Sequence, residues 1–186
     1  FEGNELMPWD FNFWSERYQE AEYSLNAEDL KPYFQLESCI DAVFGLATRL
    51  YGITFKEITD QVPSFEPTAK CYEVIDKDGT TLAVFYADPF PRDGKGAGAW
   101  CTSFRGQSYE NGVRVIPHVV NACNMTSASG DKPALQTIDN VETLFHEFGH
   151  ALHSFFRDVQ YNGASGTERD FVELPSQINE HWAFEP

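Results

Sequence analysis

His146-Glu147-Phe148-Gly149-His150 sets two imidazoles four residues apart with a carboxylate beside the first. On an α-helix, positions i and i+4 lie about 40° apart around the axis and about 6 Å apart along it, so both rings can reach one ion. Glu147 projects near the same face, where it can accept a proton from a water that the ion has made acidic. Imidazole nitrogens favour a borderline cation such as zinc over calcium or magnesium, which prefer oxygen. The pattern is the H-E-x-x-H arrangement of metal-assisted peptide hydrolysis, with His146 and His150 as Zn2+ ligands, one ion per chain, and Glu147 as general base.

Catalytic zinc commonly has three protein ligands and one open position. A metzincin continuation requires glycine at position 153 and histidine at position 156, whereas this chain has His153 and Phe156. Glu168, Glu173 and Glu180 are the acidic candidates downstream. The last two lie seven apart on one helical face, so spacing leaves open which of them would touch the ion and which would support a ligand. His153 shares the face of the two motif histidines, but its rise of about 10.5 Å from His146 is too great for both to bind one ion. It reads as a supporting or buried side chain. Gly149 sits mid-helix at a cost of about 1 kcal/mol relative to alanine, which a close approach by another chain segment would explain.

The elements that must hold these residues follow from patterning. Asp139 with Glu142 suggests a capping pair for a helix running to about Val159, and a Gly/Ser-rich loop at 162–167 leads to a last helix from about Asp170, with Pro175 near its start. Earlier in the chain, helical spacing appears over 9–23 and 36–51, the second closed by Gly52, and both apolar stripes read as core. Between them the texture is β-rich, with strands over 53–58, 71–75 and 82–86 and a hairpin at Asp78-Gly79. A flexible glycine-containing loop over 92–99 precedes a strand at 99–104, another strand is expected over 113–120, and 127–133 is turn-like. The expected class is α+β, with helices first, then a small β-sheet beside the active-site helix, then two more helices.

Thirteen basic against 29 acidic side chains give a net charge of −16, which repels phosphate backbones and anionic lipid surfaces. Neither nucleic acid nor membrane is an expected partner. No apolar run approaches the roughly 20 residues that a bilayer requires. Cys39, Cys71, Cys101 and Cys123 form no C-x-x-C pair and read as buried reduced thiols.

The stretch from Glu142 through the motif to His153, then Ser165-Gly166-Thr167 and the run from Arg169 to Trp182, resembles the thimet oligopeptidase family of metallopeptidases. The Gln177-Ile178-Asn179-Glu180-His181-Trp182 ending is most similar to the dipeptide-releasing members of that family, and the similarity extends upstream through 30–36 and 98–107. The resemblance implies a mainly helical, zincin-like catalytic region in which Glu173, the glutamate of the Phe-Val-Glu run, is the third zinc ligand. Glu180 and His153 then take supporting places around the metal. It also implies that Gly98, Ala99 and Trp100 form an edge strand beside which substrate backbone is laid. Short unstructured peptides are the implied substrates, and dipeptide release would require an arginine such as Arg105 or Arg114 to hold a terminal carboxylate. An endo-acting oligopeptidase is the alternative. The family's oxyanion-stabilising segment has no counterpart in residues 1–186, so the chain is expected to be an internal piece of a cytoplasmic, alternatively periplasmic, enzyme. By itself it would then be an inactive zinc-binding module.

Overall fold

The computed structural model describes residues 5–24 and 26–185. A 3-10 turn over Pro8–Asp10 leads into α1 (Phe11–Tyr23), and Asn26 caps the short α2 (Ala27–Leu30) by accepting from the Glu28 amide. The helix expected over 9–23 is therefore present, but its expected place in the core is not. Phe11, Phe13, Tyr18 and Tyr23 are all exposed, because their positions run around the helix instead of down one side. By contrast, α3 (Leu36–Tyr51) has a coherent stripe and buries Leu36, Cys39, Val43, Leu46 and Ala47. It stops at Gly52, whose φ of 78° is the left-handed conformation in which glycine has no steric penalty.

β1 (Thr54–Glu57), β2 (Lys70–Ile75) and β3 (Thr81–Asp88) form an antiparallel meander, with the β2–β3 connection at Asp78-Gly79 as expected. β4 (Trp100–Arg105) follows the glycine-containing loop. The single strand expected over 113–120 is instead two strands in two sheets. β5 (Ser108–Glu110) and β6 (Val113–Val115) make a small hairpin turned by Asn111 and Gly112, both at positive φ, and β7 (His118–Ala122) belongs to the main sheet. Pro117 marks the break: it has no N–H to give a ladder, and its carbonyl accepts from Val84. The main sheet has the order β1-β2-β3-β7-β4, with β3 and β7 parallel and β4 at an edge.

α4 (Ile138–Phe155) and α3 lie on one face of this sheet over Tyr72, Val74, Phe85 and Val119, with Phe44, Phe55, Phe148 and Phe155 interlocking between the layers. A smaller cluster of Cys71, Tyr86 and Val120 occupies the opposite face, as strand alternation requires. The N-cap of α4 is Thr137, whose hydroxyl accepts from the Asn140 amide, not Asp139, which lies in the first turn. The helix also ends four residues before the expected Val159. Arg114 donates to the carbonyls of Phe155 and Arg157, satisfying the orphan acceptors of the helix end from outside. α5 (Leu174–His181) starts four residues later than expected, after turns over 169–173, with Pro175 in its first turn. The architecture is α+β, with the element order anticipated from patterning. Among the described residues, no helix is long and apolar enough to cross a membrane.

The loop before β4 is fixed by a buried charge pair. Lys95 Nζ lies 3.1 Å from Asp88 Oδ1 and donates to the carbonyls of Asp88 and Phe90, and both ionic side chains are 2% exposed. Arg92 donates to both oxygens of the same carboxylate, and Asn124 binds the carbonyls of Gly96 and Gly98. A segment rich in glycine is thereby ordered. Loss of the Lys95 ammonium leaves Asp88 held by Arg92 alone and takes the donor away from the carbonyls of Asp88 and Phe90. Lys95→Met is expected to destabilise the protein by about 1–3 kcal/mol in urea unfolding. A loss below about 1 kcal/mol, the level of an exposed pair, would show that the loop does not depend on this contact.

Candidate metal centre

Every residue of the 146–150 motif has a distinct environment within α4. Phe148 is 2% exposed and packs its ring against Phe44, Phe55 and Phe85, which fixes the rotation of the helix on the core. His146 and His150 emerge on the other side, half-buried, with ring centroids 4.9 Å apart. The Glu173 carboxylate comes to them from the residue just before α5: its Oε2 lies 3.3 Å from His146 Nε2 and 3.1 Å from His150 Nε2. One donor atom from each of the three residues falls within 4.8 Å of the others, a set able to hold a metal ion. Two imidazole nitrogens and one carboxylate oxygen are the chemistry of a zinc site.

The neighbours of this set hold it in a usable protonation state. Burial keeps the His150 pKa below its ordinary value, with Glu173 pulling the other way, so the ring favours the neutral form that donates a lone pair. A hydrogen bond from the Ser176 hydroxyl, 2.9 Å away, holds the Glu173 carboxyl below the usual range. Glu180 Oε1 lies 2.5 Å from His146 Nδ1, so that nitrogen donates outward while Nε2 faces Glu173. Spacing alone left Glu173 and Glu180 interchangeable; in the fold they occupy opposite sides of the His146 ring.

Glu147 is 5% exposed, and its Oε2 has no hydrogen-bond partner among the described residues. Burial raises its pKa, and the nearby Glu173 charge adds to that effect against His146. The carboxylate borders a cleft of about 410 Å³ whose floor is α4 and whose wall is Ala99 and the start of β4, through Trp100, Cys101 and Thr102. The inner side of β4 pairs with β7 and the other side is a free sheet edge. Of the three residues expected in an edge strand, Trp100 opens β4, Ala99 lines the cleft just before it, and Gly98 lies in the preceding loop.

The two arginines expected to reach substrate lie elsewhere. Arg105 is at the far end of β4, where it donates to the Ile116 carbonyl and meets His118 Nε2 at 2.9 Å, and it does not line the cleft. Arg114 directs its guanidinium to the carbonyls of Leu82, Phe155 and Arg157 and acts as a clamp on the fold. His153 does line the cleft, and its ring has no hydrogen-bond partner among the described residues. Sequence reasoning missed Ser176 and Asn179. The spacing 173, 176, 180 on one helical face offered a signal for Ser176, whereas the role of Asn179 depends on where α5 crosses α4.

That crossing is set by Gly149. A Cβ there would lie 2.5 Å from the Pro175 carbonyl oxygen and 2.6 Å from Ser176 Cα, so the α5 backbone rests directly on the glycine. Asn179 Nδ2 adds a buried hydrogen bond of 2.6 Å to the Phe145 carbonyl. In a free helix, replacing glycine with alanine stabilises by about 1 kcal/mol. Here the contact reverses the sign, because backbone atoms cannot swing aside and overpacking costs about 1–3 kcal/mol. Gly149→Ala should therefore lower stability and, by shifting Glu173 and Glu180 together, weaken Zn2+ affinity by about 10- to 100-fold in a competition titration. Unchanged affinity would show that α5 can move without disturbing the donor set.

The profile of Peptidase family M3 matches residues 1–186. The chain is 45% identical over 187 residues to the dipeptidyl carboxypeptidase of Salmonella typhimurium, an alignment covering 99% of this chain and 27% of that protein. It is 39% identical to oligopeptidase A of the same organism, over 98% of the chain and 27% of the relative, and 36% identical to a thimet-like oligopeptidase of Dictyostelium discoideum, over 88% and 25%. The chain thus spans about a quarter of the length of the curated relatives it matches. With the profile matched along all 186 residues, the chain belongs to peptidase family M3.

Proposed function

We infer that the protein is a zinc-dependent peptidase acting on short unstructured peptides, and that these residues carry its metal site and one wall of its substrate cleft. The observation that carries this reading is the convergence of His146, His150 and Glu173 beside a buried glutamate, directly under a free sheet edge. Zinc held by the three donors would supply Lewis acidity toward a scissile carbonyl and toward water. The edge of β4 offers unpaired backbone groups along which an extended peptide can be laid as an added strand. An extended segment without sheet partners of its own meets this edge most readily, which favours unstructured peptides as substrates.

Glu147 serves as the proton carrier. Its raised pKa makes it a stronger base than an exposed carboxylate, suited to accepting the proton of the attacking water and delivering it to the departing amine. His146 is held by Glu180, and Glu173 by Ser176, so the donors need little rearrangement on binding. Glu147→Gln in the full-length protein is expected to retain zinc and to lose about 10²- to 10⁴-fold in kcat. A variant retaining more than a small fraction of kcat would remove Glu147 from the proton-transfer role.

Release of dipeptides from the C-terminus is the favoured mode, supported by the 45% identity to a dipeptidyl carboxypeptidase. The 39% identity to oligopeptidase A supports the competing endo-acting mode. Amidating the C-terminus of a peptide substrate removes a charge that only the first mode must bind. Mass spectrometry of the products is expected to show dipeptides from the free acid and much slower cleavage of the amide. Internal cuts at equal rates from both would favour the endo-acting mode.

A further inference from the structure

Arg157 is the single arginine or lysine among the described residues lining the cleft. It follows the end of α4 by two residues, at a point where the backbone is pinned twice: its own carbonyl accepts from Arg114, and the Val159 amide donates 2.7 Å to Oε1 of the fully buried Gln107. Its Nε is buried and has no hydrogen-bond partner among the described residues. None of the described acidic side chains forms an ion pair with it, in a chain that has 29 of them. The guanidinium field reaches other cleft residues, opposing burial at the Cys101 thiol and adding to it at His153. A buried donor without a partner is costly, and a fixed cation beside a free strand edge has the geometry to receive an anion from whatever occupies that edge.

We propose that Arg157 is a specificity residue that binds a carboxylate of the peptide lying in the cleft. The proposal rests on the peptidase reading for the identity of the occupant. A planar guanidinium matches a carboxylate with two parallel hydrogen bonds, which distinguishes it from a lysine in the same place. It also gives an acidic protein a local positive field that admits an anionic group which the overall charge of −16 would repel. The carboxylate has two possible sources, the peptide's C-terminus or an Asp or Glu side chain, and the chemistry of recognition is the same for both.

Two matched peptide pairs test this in the full-length protein. One pair differs only in a free or amidated C-terminus, and the other only in Glu or Gln at one position, scanned along the sequence. Dissociation constants are measured by calorimetry on Glu147→Gln protein, which separates recognition from turnover. The acid member of one pair is expected to bind about tenfold or more tightly, and the pair that shows the difference identifies the source. Arg157→Met added to that protein should bring the acid/amide ratio to within about twofold of one, and Arg157→Lys should restore part of it. The proposal is overturned by a ratio that survives Arg157→Met, or by the absence of discrimination in both pairs. Wild-type protein that discriminates through Arg157 yet hydrolyses no peptide would refute the peptidase reading and leave the carboxylate site standing.

Discussion

The contact between Gly149 and the backbone of α5 is the constraint on which the site depends. Three of the groups around the prospective ion, Glu173, Ser176 and Glu180, are at the start of α5 or on it, and the two imidazoles are on α4. Their mutual distances are therefore set by how closely two helices approach, and that approach is limited by the absence of a single Cβ. Phe148, one residue away, inserts its ring into the aromatic core and fixes which side of α4 the imidazoles face. The two spacer residues of the motif thus perform different tasks. One sets rotation and the other sets separation.

Electrostatically, the cleft is arranged around burial more than around charge pairing. Glu147 is pushed toward protonation by removal from water, whereas Glu173 is held ionised by the Ser176 hydroxyl. Two carboxylates near the same histidines consequently have different proton affinities and are suited to different work. The thiols of Cys101 and Cys123 are pushed up to about 12, by burial first and by the Glu147 charge second, and stay protonated. They contribute packing without competing for a cation in the thiolate form.

Much of this was legible in the sequence where local rules suffice. The helix over 36–51, its glycine stop, the Asp78-Gly79 hairpin and the motif helix each rest on periodicity or turn chemistry confined to a few residues. Other features depend on contacts distant in the chain. The end of α4 is decided by Arg114, over 40 residues earlier, and the strand expected over 113–120 divides at Pro117. The Asn111-Gly112 turn was a readable hairpin signal hidden by treating the apolar run after it as one strand. Helical spacing located α1 but could not place it in the core, because its aromatic positions surround the axis. Arg157 carried no signal in its neighbours, since its position in the cleft follows from where α4 stops.

Strand order also governs the sequence of assembly. β1, β2 and β3 are neighbours both in the chain and in the sheet, so they can pair by closing short loops. β4 cannot join them on its own, because its ladder partner is β7, and β7 must first lie parallel to β3 across a connection that contains β4, β5 and β6. Contacts of this kind are closed late, at a higher cost in chain entropy. The wall of the cleft is accordingly a late-closing part of the sheet, and its outer strand, held along one side only, belongs to the least protected class of backbone amides. Hydrogen exchange should therefore be faster along the edge that faces the cleft than in the interior strands β3 and β7.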